Sequence, residues 1–191
     1  MQRHAFPCGD LALDFVGTLR ARRNPEPSEM LDGPRALDAW FLESGVADTA
    51  PADEDDLATA LALREAVYDL VSGRIVGERD DPASVALLNE VAARPPVVPR
   101  LTADGLVRVA TAEQALSSVA RRAVEVLGGP AADLLKECGR PGCTQVYVDS
   151  SRGFRREWCA MTTCGNKMKA LAHRARQRGN PPLRPSRLGV R

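Results

Sequence analysis

The sequence predicts a mainly α-helical protein with one short β-hairpin, followed by a small module built around four cysteines. Apolar residues recur every three to four positions through most of residues 1–135, which is the period of an amphipathic helix. Residues 97–111 change to the alternation of strands around an Asp-Gly pair, which is typical of a tight hairpin turn. Four of the five cysteines lie between Cys138 and Cys164. These observations place a helical domain before a compact cysteine-rich one.

The helices follow in chain order from apolar spacing and capping residues. The acidic first turn of the third helix, residues 53–56, suits the positive end of the helix dipole. Pro82 lies in the first turn of the fourth helix, and Gly45 is a stop signal after the second. Residues 24–29, with two prolines, predict a loop. The expected helical segments are 10–22, 33–45, 53–77, 81–94, 111–129 and, leading into the first cysteine, 130–138.

The net charge of +1 is an average over two unlike parts. Residues 1–135 contain 13 arginines and 22 acidic residues, whereas residues 136–191 contain 13 basic and 3 acidic residues, so the two parts carry −9 and +10. This split predicts a domain boundary near residue 135, with a second domain over 136–180 and a disordered Pro- and Arg-rich tail over 181–191. An acidic body joined to a basic module favours an anionic partner for the module. A basic segment that only neutralises its own body is the alternative.

Composition and the lack of targeting signals indicate a cytoplasmic protein without a membrane segment. The 44% hydrophobic and 27% charged residues are typical of soluble globular domains. No run approaches the roughly 18 apolar residues of a membrane span, and Asp10 and Asp14 interrupt the apolar stretch near the N-terminus. In a reducing compartment, paired cysteines are more often metal ligands than disulfides.

The cysteines form two pairs, Cys138/Cys143 and Cys159/Cys164, with four residues inside each pair. Four thiolates complete the tetrahedral shell of zinc and leave no open position, so a structural Zn²⁺ is favoured over a catalytic one. The stretch after the first pair alternates like a strand, and residues 153–159 are expected to return as its hairpin partner. A turn, a hairpin and then a helix beginning at the last cysteine predict a treble-clef-like zinc finger. Iron or a redox disulfide are the alternatives for the four thiols.

A basic helix follows the last cysteine. One face carries an apolar stripe that is expected to dock on the finger, and positive side chains lie on both flanks of that face. The stripe consists of Met168, Leu171, Ala172 and Ala175. The few aromatic residues nearby favour duplex DNA over single strands as the partner. The predicted DNA-contacting residues are Asn166, Lys167, Lys169, Arg174, Arg176 and Arg178 of the helix, with Arg155 and Arg156 of the hairpin. A basic helix that is merely solvated is the alternative.

Two stretches around the cysteines, CGRPGCTQVYVDSS and WCAMTTCGNK, resemble the CGNR zinc finger family. LALDFVGT near the N-terminus and LREAVYDL in the longest helix are similar to the ABATE domain, which precedes this finger in stress-induced transcription regulators. The resemblance implies zinc ligands at the four paired cysteines and DNA contact by the helix after them. The signature differs at its last position, where Lys167 stands in place of the family's arginine. Lysine lacks the planar fork that grips phosphate with two bonds, so weaker or less selective binding is expected there.

No set of catalytic residues is predicted, so the chain is not expected to be an enzyme. His4 and His173 are its two histidines, and no glycine-rich phosphate loop is present. Cys8, the unpaired cysteine, is expected to be a small buried residue rather than a nucleophile. Arg64 lies among apolar residues and predicts a core ion pair, for instance with Asp14. A grip on an anionic ligand is the weaker alternative for Arg64.

The sequence therefore predicts a zinc-containing DNA-binding protein, a transcription regulator whose helical domain is a sensor or a dimerisation unit. That domain is a candidate for binding a small-molecule effector or a second copy of the chain, and the sequence does not identify the effector. The alternative is a protein- or RNA-interaction module that uses the zinc finger as a docking surface.

Overall fold

The structure, a computed structural model, describes residues 4–178. The tail predicted over 181–191 lies outside the described residues. Within them the fold is mainly α-helical, as predicted, with three small antiparallel strand pairs, β1–β2, β3–β4 and β5–β6. The helices are α1 (Leu11–Val16), α2 (Pro34–Ser44), α3 (Glu54–Val76), α4 (Pro82–Ala93), α5 (Ala112–Gly128) and α6 (Asn166–Gln177). The strands are β1 (Leu19–Arg20), β2 (Ser28–Glu29), β3 (Arg100–Thr102), β4 (Gly105–Val107), β5 (Leu135–Glu137) and β6 (Val146–Val148).

Helices α1 to α5 surround one hydrophobic core, in which α3 contacts the other four. Phe15 and Trp40 are fully buried there and meet edge to face, with ring centroids 4.9 Å apart. Burying a large apolar side chain contributes roughly 1.5–3 kcal/mol. Helix α3 begins as predicted at its acidic turn, where Asp53 and Asp56 form a capping box, and it ends at Gly77 with a φ of +76°.

Helix α1 is shorter than predicted. The expected segment 10–22 is helical only over Leu11–Val16, and the chain then enters strand β1. The Thr18 hydroxyl donates to the Phe15 carbonyl (2.7 Å) and closes the last turn. Residues 24–29, predicted as a loop, contain strand β2, which pairs with β1. Pairing with β2 therefore replaces the last two turns of the expected helix.

Gly17, at the end of α1, lies against the side chain of Gln145 from the cysteine-rich module. That side chain is buried, and its Nε2 donates to the Leu13 carbonyl and to the Cys8 sulfur, both at 3.0 Å. A Cβ on Gly17 would lie 2.3 Å from Oε1 of Gln145. The close approach of the two segments therefore requires a residue without a side chain at this point.

Replacing Gly17 by Ala should destabilise the chain by about 2 kcal/mol, because overpacking a buried contact costs about 1–3 kcal/mol. Gly128→Ala at the end of α5 is a matched control, since a Cβ there meets nothing within 4 Å. Urea unfolding of the zinc-loaded chain measures both variants. A Gly17→Ala chain as stable as the unchanged one would show that Gln145 moves aside freely.

The hairpin predicted over 97–111 is present as β3 and β4, with Leu101 opposite Leu106. Gly105 follows the turn with a φ of +121°, a conformation that favours glycine. The Asp-Gly signal therefore located the hairpin to within one residue, since the two turn residues are Ala103 and Asp104.

The strand pair beside the cysteines differs from the prediction. The segment 130–138 is not an α-helix but a 3-10 turn, Ala132–Leu134, followed by strand β5. Strand β6 pairs with β5, and residues 153–159, the predicted partner, form no strand. Leu135 of β5 and Val146 of β6 are both buried in the core of the helical domain. This burial favours pairing between the segments on either side of the first cysteine turn.

Candidate metal centre and basic surface

The structure brings the four paired cysteines to one point. Cys138 and Cys143 lie in the turn between β5 and β6. A single wide helical turn, Met161–Gly165, leads into α6. Cys164 lies within this turn, and Cys159 lies just before it. Their Sγ atoms all lie within 4.8 Å of one another. The Sγ of Cys164 is 3.5 Å from that of Cys159 and 3.7 Å from that of Cys143.

This spacing fits one tetrahedral metal ion. Zn–S bonds of about 2.3 Å in a tetrahedron place the sulfurs about 3.8 Å apart. A disulfide would instead need an S–S distance of about 2.05 Å, and all five cysteines of the chain are free thiols. The geometry therefore supports the metal rather than the redox-disulfide alternative, with a complete ligand set of four sulfurs.

Backbone hydrogen bonds hold the two cysteine turns together. The Cys138 N–H donates to the Gln145 carbonyl (2.9 Å), which extends the β5–β6 ladder to the first cysteine. The Gly139 N–H donates to the Glu157 carbonyl (2.9 Å) and joins the first turn to the segment before the second. The sulfurs are thus held in place by the fold as well as by a metal.

The crowding of the four sulfurs shifts the pKa values of three of the thiols. The Cys138 and Cys159 thiols bond to the Cys143 sulfur, which holds the pKa of Cys143 far below its usual value. The same bond raises the pKa of Cys138 to about 12. Contacts with Cys138 and Cys143 raise the pKa of Cys159 well above its ordinary range. Cys138 and Cys159 therefore keep their protons at neutral pH until a cation displaces them.

Metal affinity should rise with pH, because the two thiols with raised pKa values must lose their protons on binding. Release of at least these two protons raises the apparent Zn²⁺ affinity by about tenfold or more between pH 7.0 and pH 7.5 by proton linkage. Competition against a chromophoric chelator at each pH measures this change. A constant affinity would show that Cys138 and Cys159 are already thiolates in the metal-free chain.

Helix α6 presents the predicted DNA-contacting residues to solvent. The exposed side chains are Asn166, Lys167, Lys169, Arg174, Arg176 and, just after the helix, Arg178, together with Arg155 of the preceding loop. None of these cations forms an ion pair with another residue of the range 4–178. The basic surface of the helix is therefore free of carboxylates from the described part of the chain.

The apolar stripe of α6 docks only at its first residue, which differs from the prediction. Met168 is buried, but Leu171 is 44% exposed and Ala172 and Ala175 are half-buried. A helix rises about 1.5 Å per residue, so Ala175 lies about 10 Å beyond Met168 along the axis. The small finger covers the first turn of α6 and leaves the later residues of the stripe partly or largely exposed.

Comparison with protein-family models agrees with this architecture. The model of ABATE, described as "Putative stress-induced transcription regulator", matches residues 9–130, which is 122 of the 191 residues. The chain belongs to the ABATE family. The model of the CGNR zinc finger matches residues 135–177, directly after the ABATE domain, as the resemblance implied. No curated protein matches the chain.

The family assignment and the sulfur cluster together identify the metal. The CGNR finger contains four cysteines positioned for one ion, so its cofactor is a structural Zn²⁺. Both families are of regulator and zinc finger types, not enzyme families. Across residues 4–178, no helix combines the length and the apolar character that crossing a membrane requires.

Arg156 lies inside the CGNR finger instead of on the predicted DNA-contacting surface. Its Nε donates to the Trp158 carbonyl (2.9 Å), and its Nη2 donates to the carbonyls of Cys159 and, at 3.4 Å, of Pro7. Its guanidinium also lies 4.4 Å from the ring centroid of Tyr147. The side chain joins the finger to the segment that precedes the ABATE domain, and its Nε and Nη2 donors are engaged within the chain.

Arg140 is a basic residue of the CGNR finger that the sequence reasoning missed. Its Nε donates to the Cys164 sulfur (3.1 Å). Four thiolates and one Zn²⁺ sum to −2, and a guanidinium on one sulfur offsets part of that charge. The sequence signal for this role was the position of a basic residue between two metal ligands, Cys138 and Cys143.

Asp149 organises the loop between β6 and the second cysteine pair of the finger. Its fully buried carboxylate accepts from the Lys136 ammonium (2.5 Å), from the Ser151 hydroxyl (2.6 Å) and from the backbone N–H groups of Ser151 and Arg156. Burial alone would raise the pKa of Asp149, but these bonds hold it below its usual value. The loop wraps around this carboxylate, which explains why residues 153–159 form no strand.

Arg64 forms a core ion pair of the ABATE domain with Glu29, not with Asp14. Its Nη1 and Nη2 lie 2.6 and 2.7 Å from the two oxygens of Glu29, and its Nε lies 2.9 Å from Glu65. Asp14 instead accepts two backbone N–H groups of the N-terminal segment. The donors of Arg64 are used within the domain, so the geometry does not favour the anionic-ligand alternative.

Cys8 packs between the ABATE domain and the finger. Its thiol donates to the Val146 carbonyl (2.9 Å) and accepts from the Gln145 amide (3.0 Å). Burial raises the pKa of Cys8 well above its usual value, so the sulfur stays a protonated thiol. This environment agrees with the expected packing role and opposes a nucleophilic one.

Proposed function

We propose that this chain is a cytoplasmic transcription regulator whose CGNR finger binds duplex DNA through α6. The main observation behind the proposal is that the cations of α6 are not paired with carboxylates of the described chain. Six of the twelve arginines in residues 4–135, Arg64 and Arg74 among them, form ion pairs with carboxylates, whereas none of the cations of α6 has a carboxylate partner within residues 4–178. Unpaired cations on an exposed helix, anchored by a metal centre, are available to the phosphates of a partner.

The charge distribution supports the same partner. The acidic part, residues 1–135, carries −9 and the part that contains the finger carries +10. The zinc–thiolate centre contributes −2, which leaves the second part at about +8. A polyanion is therefore attracted to one end of the chain and repelled by the other, which orients the finger toward it.

We assign base reading to Asn166 and phosphate binding to the cations. Asn166 is exposed at the start of α6, and an asparagine amide can pair with the edge of an adenine through two hydrogen bonds. The proposed phosphate contacts are Lys167, Lys169, Arg174, Arg176, Arg178 and Arg155. Arg156 is left out because its guanidinium is engaged inside the finger.

We propose that the ABATE domain regulates the finger by binding a small-molecule effector or by pairing with a second copy. The domain boundary that we propose, near residue 135, lies at β5, where side chains of both parts share one core. The buried contacts of Gln145 with Leu13 and Cys8 also support coupling, because a change in α1 would reach the finger through them. Pairing would supply a second finger, since one alone buries little surface for high specificity.

Fluorescence anisotropy with a labelled duplex of random sequence tests DNA binding directly. The logarithm of affinity should fall with the logarithm of salt concentration by about 0.9 per phosphate contact, so four to six contacts give a slope of about −4 to −5. An acidic polypeptide and a single-stranded RNA serve as competitors, because they represent the docking alternatives. Competition by either that equals competition by unlabelled duplex would contradict the proposal.

Changing Lys167 to Arg should tighten duplex binding about threefold to tenfold, because the planar guanidinium adds a second bond to the same phosphate. Arg35→Lys, which exchanges the same two residue types on the ABATE domain, is the control and should leave affinity unchanged. The same anisotropy titration measures both variants. Equal affinity of Lys167→Arg and the unchanged chain would place residue 167 away from the phosphates.

A further inference from the structure

An open groove of about 610 Å³ runs between the first cysteine turn and α6. Arg140 and Pro141 form one wall, and the other comes from the wide turn before α6 and from the first two turns of the helix. The polar side chains that line it are Arg140, Thr162, Thr163, Asn166, Lys167 and Arg174. No acidic residue lines the groove, so three cations face a common space without a carboxylate.

Arg140 is held at both of its ends by the metal centre. Its carbonyl accepts the Cys143 N–H (2.9 Å), and its Nε donates to the Cys164 sulfur (3.1 Å). Apart from sulfurs of the metal centre, the described residues offer its guanidinium no hydrogen-bond acceptor. A guanidinium has five N–H donors in a rigid fork, so one donor on the sulfur leaves others for an anion.

We propose that this groove seats a backbone phosphate of the bound duplex, with Arg140 on one wall and Lys167 and Arg174 on the other. The inference rests on the proposed function and adds to it a residue outside α6. A phosphodiester suits the site because it is a compact anion whose oxygens accept several charge-assisted bonds at once. The hydroxyls of Thr162 and Thr163 supply further donors.

The groove continues into the free face of α6, which favours a polyanion over a single bound phosphate ion. Lys167, Leu171, Arg174 and Arg178 follow one another at helical spacing along this face. Arg178 lies about 17 Å from Lys167 along the helix axis. Charges repeated over that length match a phosphate backbone, which carries one charge for each nucleotide.

Because Arg140 donates to the Cys164 sulfur, its role in the groove depends on the shape of the guanidinium as well as on its charge. Lysine at this position keeps the charge, but its single ammonium cannot bond the Cys164 sulfur and a phosphate with the geometry of a planar fork. Arg140→Lys should therefore bind one zinc per chain and still lose about tenfold in duplex affinity, with little change in the salt slope because the charge is kept. Arg35→Lys, which conserves charge on the ABATE domain and lies outside the proposed DNA surface, is the matched control and should stay within about twofold.

Protection from an arginine reagent tests the unchanged protein without any variant. The zinc-loaded full chain is treated with phenylglyoxal in the presence and absence of saturating duplex, and modification of Arg140 is followed by mass spectrometry. We expect duplex to slow modification of Arg140 at least fivefold, whereas Arg35, which is exposed on the ABATE domain, should react at the same rate in both samples.

These experiments distinguish a failure of the proposed DNA binding from a failure of the groove proposal. If the unchanged chain does not bind duplex, the proposed function fails. If it binds duplex but Arg140 is modified equally fast with and without it, the groove proposal is overturned while DNA binding stands. Equal affinity of Arg140→Lys and the unchanged chain overturns it as well, and so does protection of Arg140 by an acidic polypeptide but not by duplex.

Discussion

Replacing Cys164 by Ser should release the metal and unfold the finger, with a loss on the order of 10 kcal/mol of metal-linked folding free energy. Cys164 is one of the four clustered sulfurs, and it contacts Cys159, Cys143 and the guanidinium of Arg140. Serine is a poor zinc ligand at neutral pH, so three sulfurs would remain around an incomplete tetrahedron. Elemental analysis should find less than one zinc per chain.

The ABATE domain should stay folded in this variant but lose stability. Most of its core lies in α1 to α5, yet Leu135 and Val146 on either side of the cysteine turn are buried in that core. Circular dichroism should therefore retain most of its helical signal, with a lower urea midpoint. A helical signal that disappears completely would mean that the domain cannot fold without the metal.

Cys8→Ser is the control for this experiment. It removes a thiol of the same chain that packs beside the finger but lies outside the group of four sulfurs. It should retain one zinc. Iron in the freshly purified protein, or full zinc content in Cys164→Ser, would contradict the metal assignment.

Changing Arg174 and Arg178 together to Ala should weaken binding to every duplex sequence by about a hundredfold at low salt and flatten the salt slope by about two. Both side chains are exposed on the same flank of α6 and have no carboxylate partner within residues 4–178. Phosphate contacts carry little sequence information, so the ranking of different duplexes should change little. Anisotropy titrations over a series of salt concentrations measure both effects.

The matched control removes the same charge from the other domain. Arg35 and Arg79 are exposed on the ABATE domain, and the Arg35→Ala, Arg79→Ala double variant lowers the net charge by the same amount. Its duplex affinity should stay within about threefold of the unchanged chain. Equal losses in the two double variants would mean that net charge, and not the α6 surface, determines binding.

The helices could be predicted because their signals are local. The acidic turn before α3, Gly45 after α2 and the Asp-Gly turn of β3–β4 each act over a few residues, and the structure contains each element near its expected bounds. The four-cysteine cluster was also predictable, since its composition restricts the chemistry before any geometry is known. The spacing of its sulfurs then agrees with one tetrahedral ion.

The strand pairing and the use of individual arginines could not be predicted in this way. Strand β5 pairs with β6 because Leu135 is buried in the core formed by helices α1 to α5. This burial is a tertiary effect. Arg155 and Arg156 are neighbours with the same side chain, yet one is exposed and the other bonds to carbonyls around Tyr147. The two arginines differ only because the loop wraps around the Asp149 carboxylate. No pattern in the local sequence predicts that path.

Selection from a library of random duplexes with the zinc-loaded chain tests most directly the claim that this protein is a sequence-reading regulator. We expect enrichment of a short sequence. Asn166→Ala should lose the preference at one position, whereas the Arg174, Arg178 double variant should lose affinity without changing the sequence selected. No enriched sequence, together with no preference for duplex DNA over an acidic polypeptide, would contradict the central claim.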